Sequence, residues 1–192
     1  SKNPPIHPSV FSRNPNIRTY TPIRQPKHQT MSLGTRFPSL AEPLKSSRLL
    51  GLYFAASWCP DCTPVSPALA KLYQSQPSSS QKKDFEIVYV SSDTTAEQMQ
   101  TSMLECHGPW KFVPFDNITE RSDLKRLFET CAGKETEGLK MTGGKRKYGI
   151  PTLVVIDCES EEIVTVNGVE GVMEGGKDSA AVIQGWIDAR QR

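Results

Sequence analysis

Residues 49–56 form an uninterrupted apolar run, Leu49-Leu50-Gly51-Leu52-Tyr53-Phe54-Ala55-Ala56, and Trp58-Cys59-Pro60-Asp61-Cys62 follows almost at once. A run of that length with no polar alternation marks a strand covered on both faces, and so a sheet with helices packed on either side. A C-x-x-C placed where such a strand gives way to a helix reads as a dithiol/disulfide redox centre. Unpaired N–H groups and the positive end of the helix dipole stabilise a thiolate at Cys59. Cys62, one turn further, can attack a mixed disulfide formed on Cys59. Pro60 suits the first helical position, where no N–H is needed and its φ is already helical. Cys59 is therefore read as the exposed nucleophile and Cys62 as the more buried resolving thiol.

The competing reading of such a pair is half of a zinc site, or two thiols that only pack. A four-ligand zinc site needs a second Cys/His pair at similar spacing, and beyond the adjacent Cys106-His107 only His7 and His28 remain. Trp58 is read either as a flat shield over the disulfide that meets partners or as a packing residue. Asp61 sets a negative charge within one turn of Cys59, which disfavours the thiolate and holds the couple on the reducing side; the alternative is a solvated charge at a helix start. Five cysteines, with Cys106, Cys131 and Cys158 scattered, fit a reducing compartment with free thiols.

The net charge of +2 conceals an asymmetry. Residues 1–41 carry Lys2, Arg13, Arg18, Arg24, Lys27 and Arg36 with no acidic residue, and seven of the 15 prolines. Residues 1–40 are read as a disordered extension, because such a segment buries too little apolar surface to offset its ordering entropy. Its basic, acid-free, Ser-containing composition resembles an organellar transit segment more than a secretory signal, since it has no apolar h-region; a plain extension ending near Met31 is the other reading. The rest, residues 41–192, is mildly acidic and gives no reason to expect nucleic acid. No stretch approaches the ~20 apolar residues of a membrane span. The expectation is a soluble protein of the cytoplasm or nucleus, or of a chloroplast or mitochondrion if the extension is a transit peptide. Asn117-Ile118-Thr119 matches a glycosylation acceptor by chance on this reading.

Along the domain, one helix is expected from about Pro60 to Gln74, interrupted at Pro67. Phe85 to Ser91 reads as a buried strand. A helix capped by Asp93 or Thr94 then carries Met99, Met103 and Leu104, and another runs from Arg121 to Cys131. Residues 132–147 are polar and Gly-rich, an insertion whose Gly143-Gly144-Lys145-Arg146-Lys147 cluster reads as solvated surface. Leu153–Ile156 and Ile163–Val166 form a hairpin, and Asp178 opens a final helix. The fold class is α/β, a central mixed β-sheet with helices on both faces.

Four blocks stand in an order that resembles nucleoredoxin and tryparedoxin of the thioredoxin superfamily: Ala56–Cys62, Phe85–Asp93, Pro109-Trp110 with Val113-Pro114-Phe115, and Tyr148–Leu153. The resemblance implies a thioredoxin-like fold. It implies a cis peptide before Pro151, with the Ile150 backbone facing the C-x-x-C and free to pair with a substrate segment, and specificity in the loops around Trp58, Trp110 and Pro151. Tyr53 stands where ordinary thioredoxins carry a buried Asp, which is similar to the nucleoredoxin branch and removes that proton acceptor. The centre reads CPDC where nucleoredoxin and tryparedoxin read CPPC. The activity implied is a thiol–disulfide oxidoreductase, a monomeric protein-disulfide reductase acting on protein or small-molecule disulfides. It would draw electrons from an upstream thiol reductant, with no metal or organic cofactor and no nucleic-acid or membrane partner. The alternative is a redox-regulated adaptor on the same fold, without steady-state turnover.

Overall fold

The apolar run becomes β1 (Ser47–Ala55), the central strand of a five-stranded sheet in a computed structural model that describes residues 31–77, 82–175 and 178–190. β1 pairs in parallel with β2 (Lys83–Ser91), which in turn pairs in parallel with the two-residue β3 (Lys111–Phe112). On its other side β1 runs antiparallel to β4 (Thr152–Asp157), and β4 antiparallel to β5 (Ile163–Thr165), giving the order β3-β2-β1-β4-β5 and the expected hairpin. Because side chains alternate between faces, β1 feeds two cores. Leu49, Tyr53 and Ala55 join one, while Leu50, Leu52 and Phe54 join the other.

The helices are α1 (Leu33–Arg36), α2 (Pro38–Ser46), α3 (Val65–Gln74), α4 (Ala96–Cys106), α5 (Ile118–Leu127), α6 (Gly168–Gly175) and α7 (Ser179–Ala189). Residues of α3, α4, α6 and α7 cover the Tyr53 face, with Leu69, Met99, Val172 and Trp186 buried there. Residues of α2 and α5 cover the Phe54 face through Leu40, Leu44 and Leu124. Asp178 caps α7 by accepting the Ala181 N–H, as expected, whereas α4 is capped by Thr95 instead of Asp93 or Thr94, and α5, expected over Arg121–Cys131, runs instead from Ile118 to Leu127 with Asn117 as its cap. Among the described residues no helix is long and apolar enough to cross a membrane.

The domain starts earlier than residue 41. Leu33, Phe37, Leu40 and Leu44 recur at helical spacing, and Phe37, Leu40 and Leu44 are buried against the sheet. Glu120 accepts from the Ser39 backbone N–H at 2.9 Å and its hydroxyl at 3.0 Å. Pro38 is harmless at the first position of α2, where an N–H would be unpaired. The rest of the expected extension, residues 1–30, lies outside the described residues.

The helix after the C-x-x-C also differs from expectation. Pro60–Cys62 forms a short 3-10 turn, and the α-helix begins only at Val65. Pro64 and Pro67 cannot donate to carbonyls four residues back, so the break falls at Thr63-Pro64 and Pro67 is absorbed in the first turn of α3.

Candidate active site

β1 delivers the dithiol to its carboxyl end, next to the carboxyl end of β2. The Cys59 N–H donates to the Ala56 carbonyl at 3.2 Å, and the Cys62 N–H to the Cys59 carbonyl at 3.1 Å, closing the turn with Pro60 at its first position. Both cysteines are free thiols and both are buried, at 5% and 3% exposure. The expected contrast of an exposed Cys59 and a buried Cys62 is therefore absent. Both pack into the core cluster on the Tyr53 face, with Ile150 against it. What separates the two thiols is their surroundings. Cys59 Sγ lies 3.8 Å from the Ile150 carbonyl oxygen, at the cis Ile150–Pro151 peptide. Burial, reinforced by the neighbouring Cys59, pushes the Cys62 thiol far up. Pro60 and Asp61 are exposed in the turn.

Tyr53 sits on the β1 face that carries the dithiol, fully buried, with its hydroxyl 2.9 Å from Ser66 Oγ. Burial drives its phenol well above the ordinary range, and the cysteines add to the effect. It is a neutral hydrogen-bonding group, not a base. Trp110 is buried behind it, edge-on to Tyr53 and Tyr73 with ring centroids at 6.5 and 5.8 Å. The Trp110 side chain itself therefore belongs to the core. His107 completes this aromatic cluster, 4.5 Å from the Tyr89 ring, and burial lowers its pKa to about 4.

Trp58 is the half-open residue of the motif, 40% exposed. Its Nε1–H donates to the Ser92 carbonyl at 3.1 Å, and Lys134 Nζ lies 3.7 Å from the centre of its ring. One edge of the indole is thus tied to the backbone after β2, while much of the ring stays accessible.

Two acidic residues that the sequence pattern did not place at the site shape it. Asp93 is buried just past β2, where its carboxylate accepts from the Ser57 N–H at 2.7 Å, the Tyr89 hydroxyl at 2.8 Å and the Ser91 hydroxyl at 2.6 Å. It pins the loop that leads into Trp58-Cys59. The one signal for it in the sequence is a carboxylate two residues beyond an apolar strand. Glu135 accepts from Ser92 Oγ and pairs with the buried Lys125. It is hidden in a segment that reads as polar loop. Among the described residues no three His, Cys, Asp or Glu side chains gather in a metal-holding group.

A thioredoxin-like family profile matches residues 47–163. The chain is 33% identical over 141 residues to nucleoredoxin of Bos taurus, covering 71% of this chain and 28% of that protein. It is 30% identical over 125 residues to tryparedoxin of Trypanosoma brucei brucei, covering 64% of this chain and 70% of that one. A thioredoxin from Wuchereria bancrofti superposes with a TM-score of 0.54 at 30% identity, covering 78% of this chain and 87% of its own. The chain thus spans little more than a quarter of the nucleoredoxin it matches. These relatives are thioredoxin-type oxidoreductases, and Cys59 and Cys62 lie close together here in one turn, as a C-x-x-C centre would have them. With its mixed sheet, its C-x-x-C at the end of β1 and these matches, the chain belongs to the thioredoxin-like family, on the side that holds nucleoredoxin and tryparedoxin.

Proposed function

We propose that the chain is a protein-disulfide reductase in which Cys59 is the attacking thiol and Cys62 the resolving one. The observation that carries the assignment is the pair of free thiols in one turn, with Cys59 Sγ against the Ile150 carbonyl and Cys62 held up in pKa by burial. The Cys59 thiolate attacks one sulfur of a partner disulfide, forming a mixed disulfide and expelling the second partner sulfur as a thiolate that takes up a proton. Cys62 then gives up its proton and attacks Cys59 Sγ, which breaks the mixed disulfide, releases the first partner sulfur and leaves Cys59–Cys62 oxidised. Two electrons pass to the partner, and an upstream dithiol returns them by the same exchange in reverse. The chemistry calls for no metal or organic cofactor.

Trp58 and the Ile150 backbone flank the approach to Cys59, so a partner segment docks between them. Turnover separates this reading from a redox-regulated adaptor. With excess dithiothreitol as reductant and a peptide disulfide as substrate, a reductase accelerates peptide reduction through many cycles per protein. One equivalent of oxidation and no acceleration would sink the reading.

A further inference from the structure

Residues 132–147 read from the sequence as a polar, Gly-rich insertion, and its first turn, through Lys134 and Glu135, is tied to the active-site loop. Glu135 is the anchor: its carboxylate accepts from Ser92 Oγ at 2.6 Å and from the Ala132 N–H at 2.9 Å, and it pairs with the Lys125 ammonium, whose residue is 2% exposed. Ser92 is also the residue whose carbonyl holds the Trp58 indole, so one stretch of backbone fixes both the indole and the loop. Lys134 immediately precedes the anchor. Its ammonium rests over the Trp58 ring and donates to Thr94 Oγ1 at 3.4 Å, while the residue stays exposed. A third N–H remains for a ligand. Lys134, Glu137 and Lys140 line a recess of about 510 Å³ beside it. Arg146, by contrast, is used inside the loop, donating to the Cys131 carbonyl at 2.8 Å.

We propose that Lys134 is a specificity-determining residue that favours disulfide partners carrying a carboxylate next to the reacting cystine. This rests on the reductase reading of Cys59 and Cys62. A partner cysteine that approaches Cys59 passes Trp58, and the ammonium over that ring is placed to receive a carboxylate on the adjoining residue. Asp61, exposed in the turn, repels the same carboxylate, so the net preference is modest. An exposed pair of this kind is worth roughly a two- to fivefold change in rate, which salt screens.

The test uses three cyclic peptide disulfides identical except for Glu, Gln or Lys beside one cysteine, with second-order rate constants measured for the reduced full chain at low ionic strength. Wild type reduces the Glu peptide fastest and the Lys peptide slowest, and about 0.5 M salt compresses the ratio. Lys134→Gln removes or inverts the Glu-to-Lys ratio, and Lys134→Arg keeps it. Because the ratio is read on one protein sample, a general loss of activity cannot imitate it. A ratio unchanged in Lys134→Gln, or a wild type without preference that still reduces all three peptides, overturns this inference alone. A wild type that reduces none of them overturns the reductase reading as well.

Discussion

Replacing Asp93 by alanine removes the acceptor shared by three donors: the Ser57 N–H, the Tyr89 hydroxyl and the Ser91 hydroxyl. The Tyr89 and Ser91 hydroxyls are buried, and each buried donor left without a partner costs roughly 1 kcal/mol or more, while the Ser57 N–H lies in an exposed residue and costs less. The Tyr89 hydroxyl retains a second acceptor, the Ala55 carbonyl at 3.3 Å, which softens its loss. The expected destabilisation is therefore about 2–3 kcal/mol, large against a typical total of ~5–15 kcal/mol yet compatible with a folded domain. Urea unfolding followed by far-ultraviolet circular dichroism measures it, with an unchanged slope showing that only stability moved. Asp93→Asn keeps one acceptor oxygen and should lose about half as much. Function should respond too: with Ser57 released, the loop ahead of Cys59 loosens and iodoacetamide alkylates the reduced protein faster than wild type. A loss well under 1 kcal/mol with an unchanged alkylation rate would refute the role given to Asp93.

His107 has a pKa of about 4 in the fold against an ordinary 6.5, so the unfolded chain binds the proton first. Stability from this group is full above pH ~6.5 and is lost as the pH falls towards 4, by at most about 3 kcal/mol; His107→Leu should flatten that part of the stability curve, and parallel curves would refute it. Gly168→Ala should destabilise by roughly 1–3 kcal/mol, because the added Cβ would lie 2.7 Å from the Leu153 carbonyl oxygen, whereas Gly185→Ala, with open space in the middle of α7, should stabilise by about 0.5–1 kcal/mol. Thermal melts that give both substitutions the same sign would contradict the packing described. Asp61→Pro removes a negative charge from the turn and should move the Cys59/Cys62 couple to a more oxidising potential, read by equilibration against glutathione; no shift means that solvent screens the carboxylate, and a more reducing one contradicts the sign of the argument.

The parts legible in the sequence are those that local pattern determines. Leu49–Ala55 is a continuous apolar stretch of β1 and Phe85–Ser91 a largely apolar one of β2, broken by Glu86, because both faces are covered, and the dithiol is set by a spacing of three residues. What escaped is of two kinds. Leu33, Phe37, Leu40 and Leu44 do follow helical spacing, but Pro38 and Pro43 obscure it, and α6 is obscured by its glycines. The acidic anchors depend on distant partners. Asp93 reaches back 36 residues to Ser57, and Glu135 reaches 43 to Ser92, distances over which no periodicity carries information. The same applies to Lys134, a lysine in a polar loop until the fold lays it over Trp58.

The division of labour between the two cysteines is the central claim, and their equal burial makes it one that exposure cannot decide. Covalent trapping decides it. Cys62→Ser leaves Cys59 able to attack a partner disulfide and removes the thiol that would resolve the product, so the mixed disulfide persists. Cys59→Ser leaves only Cys62 of the C-x-x-C pair, whose thiol burial holds in the protonated, unreactive form. Incubated with a cystine-containing protein and run on non-reducing gels, Cys62→Ser should give dithiothreitol-sensitive adducts and Cys59→Ser none. Equal trapping by both variants would contradict the assignment, and adducts that survive in Cys62→Ser only through Cys106, Cys131 or Cys158 would move the chemistry off the C-x-x-C.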